Sequence, residues 1–270
     1  MGYEYRYSSR SPTSASTPAT NGRRPAPRIR PTGNGNGRGV VGAATSRPAS
    51  LDWPVWLGLI ERKRRLIQRV HQGMNSPSPP RQYFVLATLS SFRLEGIDSS
   101  DEEVIEAVSR GPSRRKLRSR ASQRIRNHIA ILHTIESNLR LGQPLKTSAI
   151  LRWYTSIGSG LSTTGLGAEK MLRLEHIARR INSPQLRLQP AIQEIARTHV
   201  ELVNDPVFPS FNGILSRLLL RYHLGRCGLP FVIFDSEMPA IELTLDPSLT
   251  LRMLHALDQS YDWLLAPQGR

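Results

Sequence analysis

The chain has 270 residues, with 37 Lys and Arg against 21 Asp and Glu, for a formal charge of +16. That length allows one sizeable domain with flanking extensions, while a lone cysteine, Cys227, excludes an internal disulfide framework and cannot build a metal site. The N-terminus lacks the apolar core of a signal peptide, and no apolar run reaches about 18 residues, so a cytoplasmic protein without a membrane partner is expected.

Residues 1–50 carry Arg6, Arg10, Arg23, Arg24, Arg28, Arg30, Arg38 and Arg47 against Glu4 alone, in a background of Ser, Thr, Pro, Gly and Asn. Such a stretch has too little apolar content to offset the entropy of ordering it. A disordered basic tail is expected there, with 51–270 as the folded domain. A first helix is predicted from Trp53, with Val55, Leu59, Ile60, Leu66 and Val70 inward and Arg62, Lys63, Arg64, Arg65 and Arg69 on its other face. Ser76-Pro77-Ser78-Pro79-Pro80 breaks it. A second helix runs from about Gln82, aligns Val85, Leu89 and Phe92, and stops at Gly96, a residue free to turn left-handed. Ser99-Ser100-Asp101-Glu102-Glu103 is a helix start, because it sets a capping hydroxyl three residues ahead of a glutamate, and Gly111-Pro112 is the matching stop.

The clearest periodicity follows, with Ala121, Ile125, His128, Leu132, Ile135 and Leu139 on one face of a long helix that ends at Gly142-Gln143-Pro144. A helix from Thr147 to Ile157 leads into a Gly/Ser/Thr-rich loop extending to Gly167, while Met171–Ile177 fits either a short strand or a ragged helix. Ile192, Ile195, Ala196, His199, Leu202 and Val203 form a helical stripe that Pro206 ends. Leu215, Leu218, Leu219, Tyr222 and Cys227 mark the next helix, and a last one spans Leu249–Leu265. The count is about eight, and the class is all-α.

Between the last two long stripes stands Asp205-Pro206-Val207-Phe208-Pro209-Ser210-Phe211-Asn212-Gly213-Ile214-Leu215-Ser216-Arg217-Leu218-Leu219. This resembles the signature of the Fic family, His-Pro-Phe-x-Asp-Gly-Asn-Gly-Arg-x-x-Arg-Leu-Leu, whose members transfer AMP from ATP to protein hydroxyls. Phe208, Asn212, Gly213 and Arg217 keep its register. Upstream, Ser91-Phe92-Arg93-Leu94-Glu95-Gly96 resembles the family's inhibitory pattern of Ser or Thr, three residues, Glu, then Gly or Asn. The resemblance spans about 82–234. It implies a Fic-type helical bundle with a short β-hairpin flap in the Gly-rich loop, ATP and Mg²⁺ as cofactors, and a protein target. It further implies nucleotide binding at Asn212, Gly213 and Arg217, and regulation by Ser91, Glu95 and Gly96, with Glu95 pairing to Arg217.

Phosphoryl chemistry needs backbone donors at a helix N-terminus, a neutralising cation, and a base for the attacking hydroxyl. The Asn212-Gly213 turn into a helix meets the first need, although the family glycine before it is Phe211, a bulky residue where phosphate would approach. The acidic Mg²⁺ ligand is replaced by Ser210, and a lone hydroxyl is a poor ligand for a hard dication. The first family Arg is Ile214. Strict spacing puts Pro206 at the catalytic His, and a one-residue insertion at Val207 puts Asp205 there. Asp205 is the candidate base, weaker than His by about 2.6 pKa units at reference values, and its simpler role is to turn the chain before Pro206. His199 fits a core position. The expectation is a Fic-fold protein impaired in transfer that acts by binding or regulation. One rival is an active transferase with Asp205 as base and Glu95 as inhibitor. The other is a basic nucleic-acid or ribosome binder, using the tail with Arg114-Arg115-Lys116, Arg118, Arg120, Arg124, Arg126 and the Arg62–Arg69 run. No zinc spacing or aromatic RNA-binding motif accompanies these clusters, and a solvated face is their simpler account.

Overall fold

In the computed structural model the described residues are 53–70, 79–110, 119–158, 166–183, 187–233 and 247–266. The basic tail and the 114–118 cluster lie outside them. So do residues 159–165, where the flap was expected.

The described residues form nine helices: α1 (Trp53–Val70), α2 (Arg81–Leu94), α3 (Asp101–Arg110), α4 (Arg120–Arg140), α5 (Thr147–Ile157), α6 (Ala168–Asn182), α7 (Leu188–Asn204), α8 (Asn212–Arg226) and α9 (Pro247–Leu265). No strand occurs among these residues. The ninth helix relative to the expected count is α6, which settles Met171–Ile177 as helical. There Leu174, Ile177, Ala178 and Ile181 recur every three or four residues and are all buried, a spacing no strand would place on one side.

Several boundaries follow from local chemistry. α2 ends in a Schellman motif: Ile97 N donates to Phe92 O at 2.9 Å, Gly96 N donates to Arg93 O at 3.0 Å, and Gly96 holds φ +66°. At the start of α3, Glu103 N donates to Ser100 Oγ at 3.1 Å, and at the start of α4 Ser122 N donates to Ser119 Oγ at 3.1 Å, each satisfying an orphan amide.

α8 is the axis of the domain. Every residue from Ile214 to Leu224 is buried, as expected of a helix enclosed on all sides. One flank, with Leu215, Leu218 and Tyr222, joins a core built from α2 to α6. The other, with Leu220 and Leu224, joins a second core shared with α1, α7 and α9. The signature loop therefore opens onto the helix that the rest of the fold holds still.

The inward face of α1 matches the predicted one only in part, at Ile60, which is buried. Val55 and Leu66 are 54% and 46% exposed. Ile60 and Ile67 are the buried positions, and Trp53, Trp56 and Leu57 pack beside them. The two tryptophans offer more apolar area than the aliphatics they displace, so they set the rotation of the helix. Nor do all its cations face solvent. Lys63 reaches Asp258 and Asp262 of α9 at 2.6 Å each, and Arg64 Nη2 donates to the Cys227 carbonyl at 3.2 Å.

Candidate functional site

α7 gives way to the signature loop at Asp205, its C-cap, whose amide donates to Glu201 O at 3.1 Å. The Asp205 carboxylate is 76% exposed and ion-paired with Arg173 of α6. His199 is buried, as its position on the stripe implied. The loop then dips inward, burying Val207 and Phe208, and the Phe208 ring stacks on Tyr154 of α5 with centroids 4.0 Å apart. Asn212 closes it. Its Oδ1 accepts from Phe208 N at 3.0 Å and its Nδ2 donates to Phe208 O at 2.5 Å, so both halves of the amide fasten a loop whose backbone groups would otherwise lack partners.

Phe211, at the family glycine, has φ +59° and ψ +19° and is the only non-glycine with positive φ among the described residues. The loop demands a left-handed residue there whatever side chain it carries. For an L-residue that geometry costs about 1–2 kcal/mol. The ring is half-buried against the α2–α6 core, and the Arg124 guanidinium of α4 lies 5.0 Å from its centroid, which is cation–π range. Ile214, at the first family Arg, is fully buried in the core.

The expected pairing of α2 with α8 is present and reciprocal. Arg217 Nη2 donates to Ser91 O at 3.0 Å and to Glu95 Oε1 at 3.2 Å, and Nε donates to Ser91 Oγ at 3.3 Å. Ser91 O belongs to the last turn of α2, where carbonyls lack helical partners, so Arg217 brings a cation to the negative end of α2. Glu95 in turn brings an anion to the positive end of α8. Its carboxylate sits so close to Gly213 that a Cβ added there would meet Oε1 at 1.8 Å. Glycine at 213 leaves room for that carboxylate, which a side chain there would push aside. Of the three residues expected to regulate, Ser91 and Glu95 touch Arg217, while Gly96 shapes the helix end through its backbone.

Three neighbours were not singled out as site residues. Arg221, one turn beyond Arg217 and 3% exposed, grips Glu136 of α4 with two bonds of 2.6 and 2.7 Å. An arginine inside the apolar Leu218–Leu224 run signals a buried partner, but nothing local names Glu136. His128, known from sequence only as part of a stripe, contacts Thr88 Oγ1 through Nδ1 at 3.0 Å. The Thr88 hydroxyl donates to Phe84 O at 2.7 Å, which leaves it accepting from a protonated Nδ1. Burial, with repulsion from Arg217, pushes the His128 pKa down to about 3. His128, Ser91, Arg217 and Arg221 line a cavity of about 30 Å³, room for a water or two. The expected Mg²⁺ does not fit the donors present: position 210 is a serine, and no group of three His, Cys, Asp or Glu suited to a metal occurs among the described residues.

No family model and no curated protein matches the sequence. Solved structures do. A Fic-domain-containing signaling protein from Bacteroides thetaiotaomicron is similar over 77% of this chain and 95% of its own, at 16% identity and a TM-score of 0.58. Fic-1 from C. elegans is similar over 78% of this chain and 71% of its own, at 18% identity and a TM-score of 0.62. A Glu-to-Gly variant of that protein gives a TM-score of 0.59. At these identities the likeness establishes the architecture: the chain has the Fic fold. No helix among the described residues is long and apolar enough to cross a membrane.

Proposed function

We propose that this Fic-fold protein no longer transfers AMP and acts by binding or regulation, with its signature loop kept as a structural joint. The observation that carries the reading is Ile214, wholly buried where transfer requires a phosphate-binding guanidinium. Other replacements point the same way. Phe211 brings a side chain, anchored beneath Arg124, to a position whose role is to let phosphate approach bare backbone. Asn212 is committed to closing its own loop, Gly213 lies under Glu95, and Arg217 is engaged by α2. Removing Glu95 would leave ATP a single signature cation, Arg217, still held by Ser91, and would not restore the guanidinium missing at Ile214. The reciprocal caps between α2 and α8 give the Glu95–Arg217 pair a structural use that persists without catalysis.

The test is incubation of the purified chain and its Glu95→Gly variant with labelled ATP and Mg²⁺, alone and with added protein acceptors. Neither should give labelled product, and titration calorimetry should find ATP binding no tighter in Glu95→Gly than in the parent. Labelling that disappears in Asp205→Ala would overturn the proposal in favour of an active transferase with Asp205 as base.

A further inference from the structure

Arg221 does not use all of its nitrogens. Nε and Nη2 hold Glu136, while Nη1 is buried without a hydrogen-bond partner among the described residues, in a side chain only 3% exposed. Leaving the N–H groups of a buried guanidinium unmet is costly, because the group gives up water without a replacement. Arg221 lines the cavity of about 30 Å³ together with Arg217, and Tyr83, Ser90, Ser91 and His128 supply the rest of its polar wall. No carboxylate lines it among the described residues. Glu95 and Glu136, which pair with the two arginines, lie outside that wall, and so do Asn212 and Gly213, so the cavity is separate from the signature loop. Burial first, and then the charge of Arg217, hold His128 below its ordinary pKa, so the imidazole on this wall registers the same excess of positive charge.

We propose that this cavity binds a single halide ion, chloride under ordinary conditions, held by Arg221 Nη1 between α2, α4 and α8. A monatomic anion accepts hydrogen bonds from every side and has no hydrogens of its own to satisfy, which suits a wall of two guanidiniums and three hydroxyls. Size decides among anions. The volume is close to that of a water or two; a halide is little larger than a water, whereas the four oxygens of phosphate or sulfate overfill the space. Charge decides between the halide and water. Both fit, but only the ion answers two cations in a buried setting where electrostatic attraction is weakly screened. The ion joins three helices, and because its site exists only in the folded chain, its binding adds to stability.

The test follows thermal unfolding of the full chain as potassium gluconate is exchanged for potassium chloride at constant ionic strength. Gluconate is too large for the cavity, so screening stays fixed while the site fills. Past half-saturation each tenfold step in chloride should raise the midpoint by about 3–5 °C, and bromide should do the same. The Glu136→Leu/Arg221→Met variant, which removes both charges of the pair together, should show no such anion-specific rise. Arg65→Ser, on an exposed part of α1, should keep it, which separates the cavity from a general attraction of anions to a chain of charge +16. Crystals grown in bromide should show anomalous scattering within hydrogen-bonding distance of Arg221 Nη1. A midpoint indifferent to which anion is present, a double variant that responds as the parent does, or bromide crystals with water alone in the cavity would each overturn the proposal.

Discussion

The left-handed Phe211 separates what the loop needs from what its side chain adds. The backbone there requires φ near +59°, a geometry glycine adopts freely and a phenylalanine adopts only at a cost. The ring recovers part of that cost through its contact with Arg124 and the core. Truncating the ring in two ways isolates the backbone share. Phe211→Ala loses the ring and keeps the strain, whereas Phe211→Gly loses both. Urea unfolding should therefore find Phe211→Gly more stable than Phe211→Ala by about 1 kcal/mol, the reverse of their order in an ordinary helix. Equal midpoints, or Ala the more stable, would mean that the loop relaxes out of the left-handed region.

Among the elements, α8 holds two buried charges one turn apart, and they differ in how replaceable their partners are. Arg217 keeps Ser91 if Glu95 is removed. Among the described residues Arg221 has only Glu136 as a charged partner, held by both oxygens. Glu136→Ala should accordingly cost about 3–5 kcal/mol, because it leaves a guanidinium without compensation inside the fold. The joint replacement Glu136→Leu/Arg221→Met should recover most of that loss, and both effects can be read from denaturant midpoints. If Glu136→Ala costs under about 1 kcal/mol, Arg221 must reach solvent when released. This pair also marks where sequence reading stops. Gly96 and Ser100 announced their roles because a cap is written within four residues of itself. The Glu95–Arg217 pair was legible only through a family pattern. Arg221 and Glu136 lie 85 positions apart with no such pattern to join them, and on α1 Val55 and Leu66 face outward, unlike Ile60, because the tryptophans rather than the aliphatic spacing set the rotation of the helix.

At the scale of the whole molecule, two buried histidines make the fold sensitive to acid. His128 is held neutral by burial and by Arg217, with a pKa near 3. His223 is held neutral by burial and by Arg180, with a pKa near 4. Unfolded, each titrates near 6.5, so between those limits the unfolded chain binds more protons than the folded one and stability rises with pH. The contribution is complete above about pH 6.5 and is lost progressively as pH falls toward 4. Carboxylates titrate mainly below that range, so the interval from pH 7 to 4.5 reports chiefly on histidine. The parent should lose about 5 kcal/mol across it, about 2.5 from each histidine. Each of His128→Gln and His223→Gln should remove about half of that dependence, whatever it does to stability at pH 7. The slope, not the absolute midpoint, is the readout, because a side chain that cannot gain a proton cannot contribute to it. A double Gln variant that keeps the parent slope would place the acid sensitivity elsewhere, and the two cationic neighbours Arg217 and Arg180 would then have to be screened from the imidazoles by water.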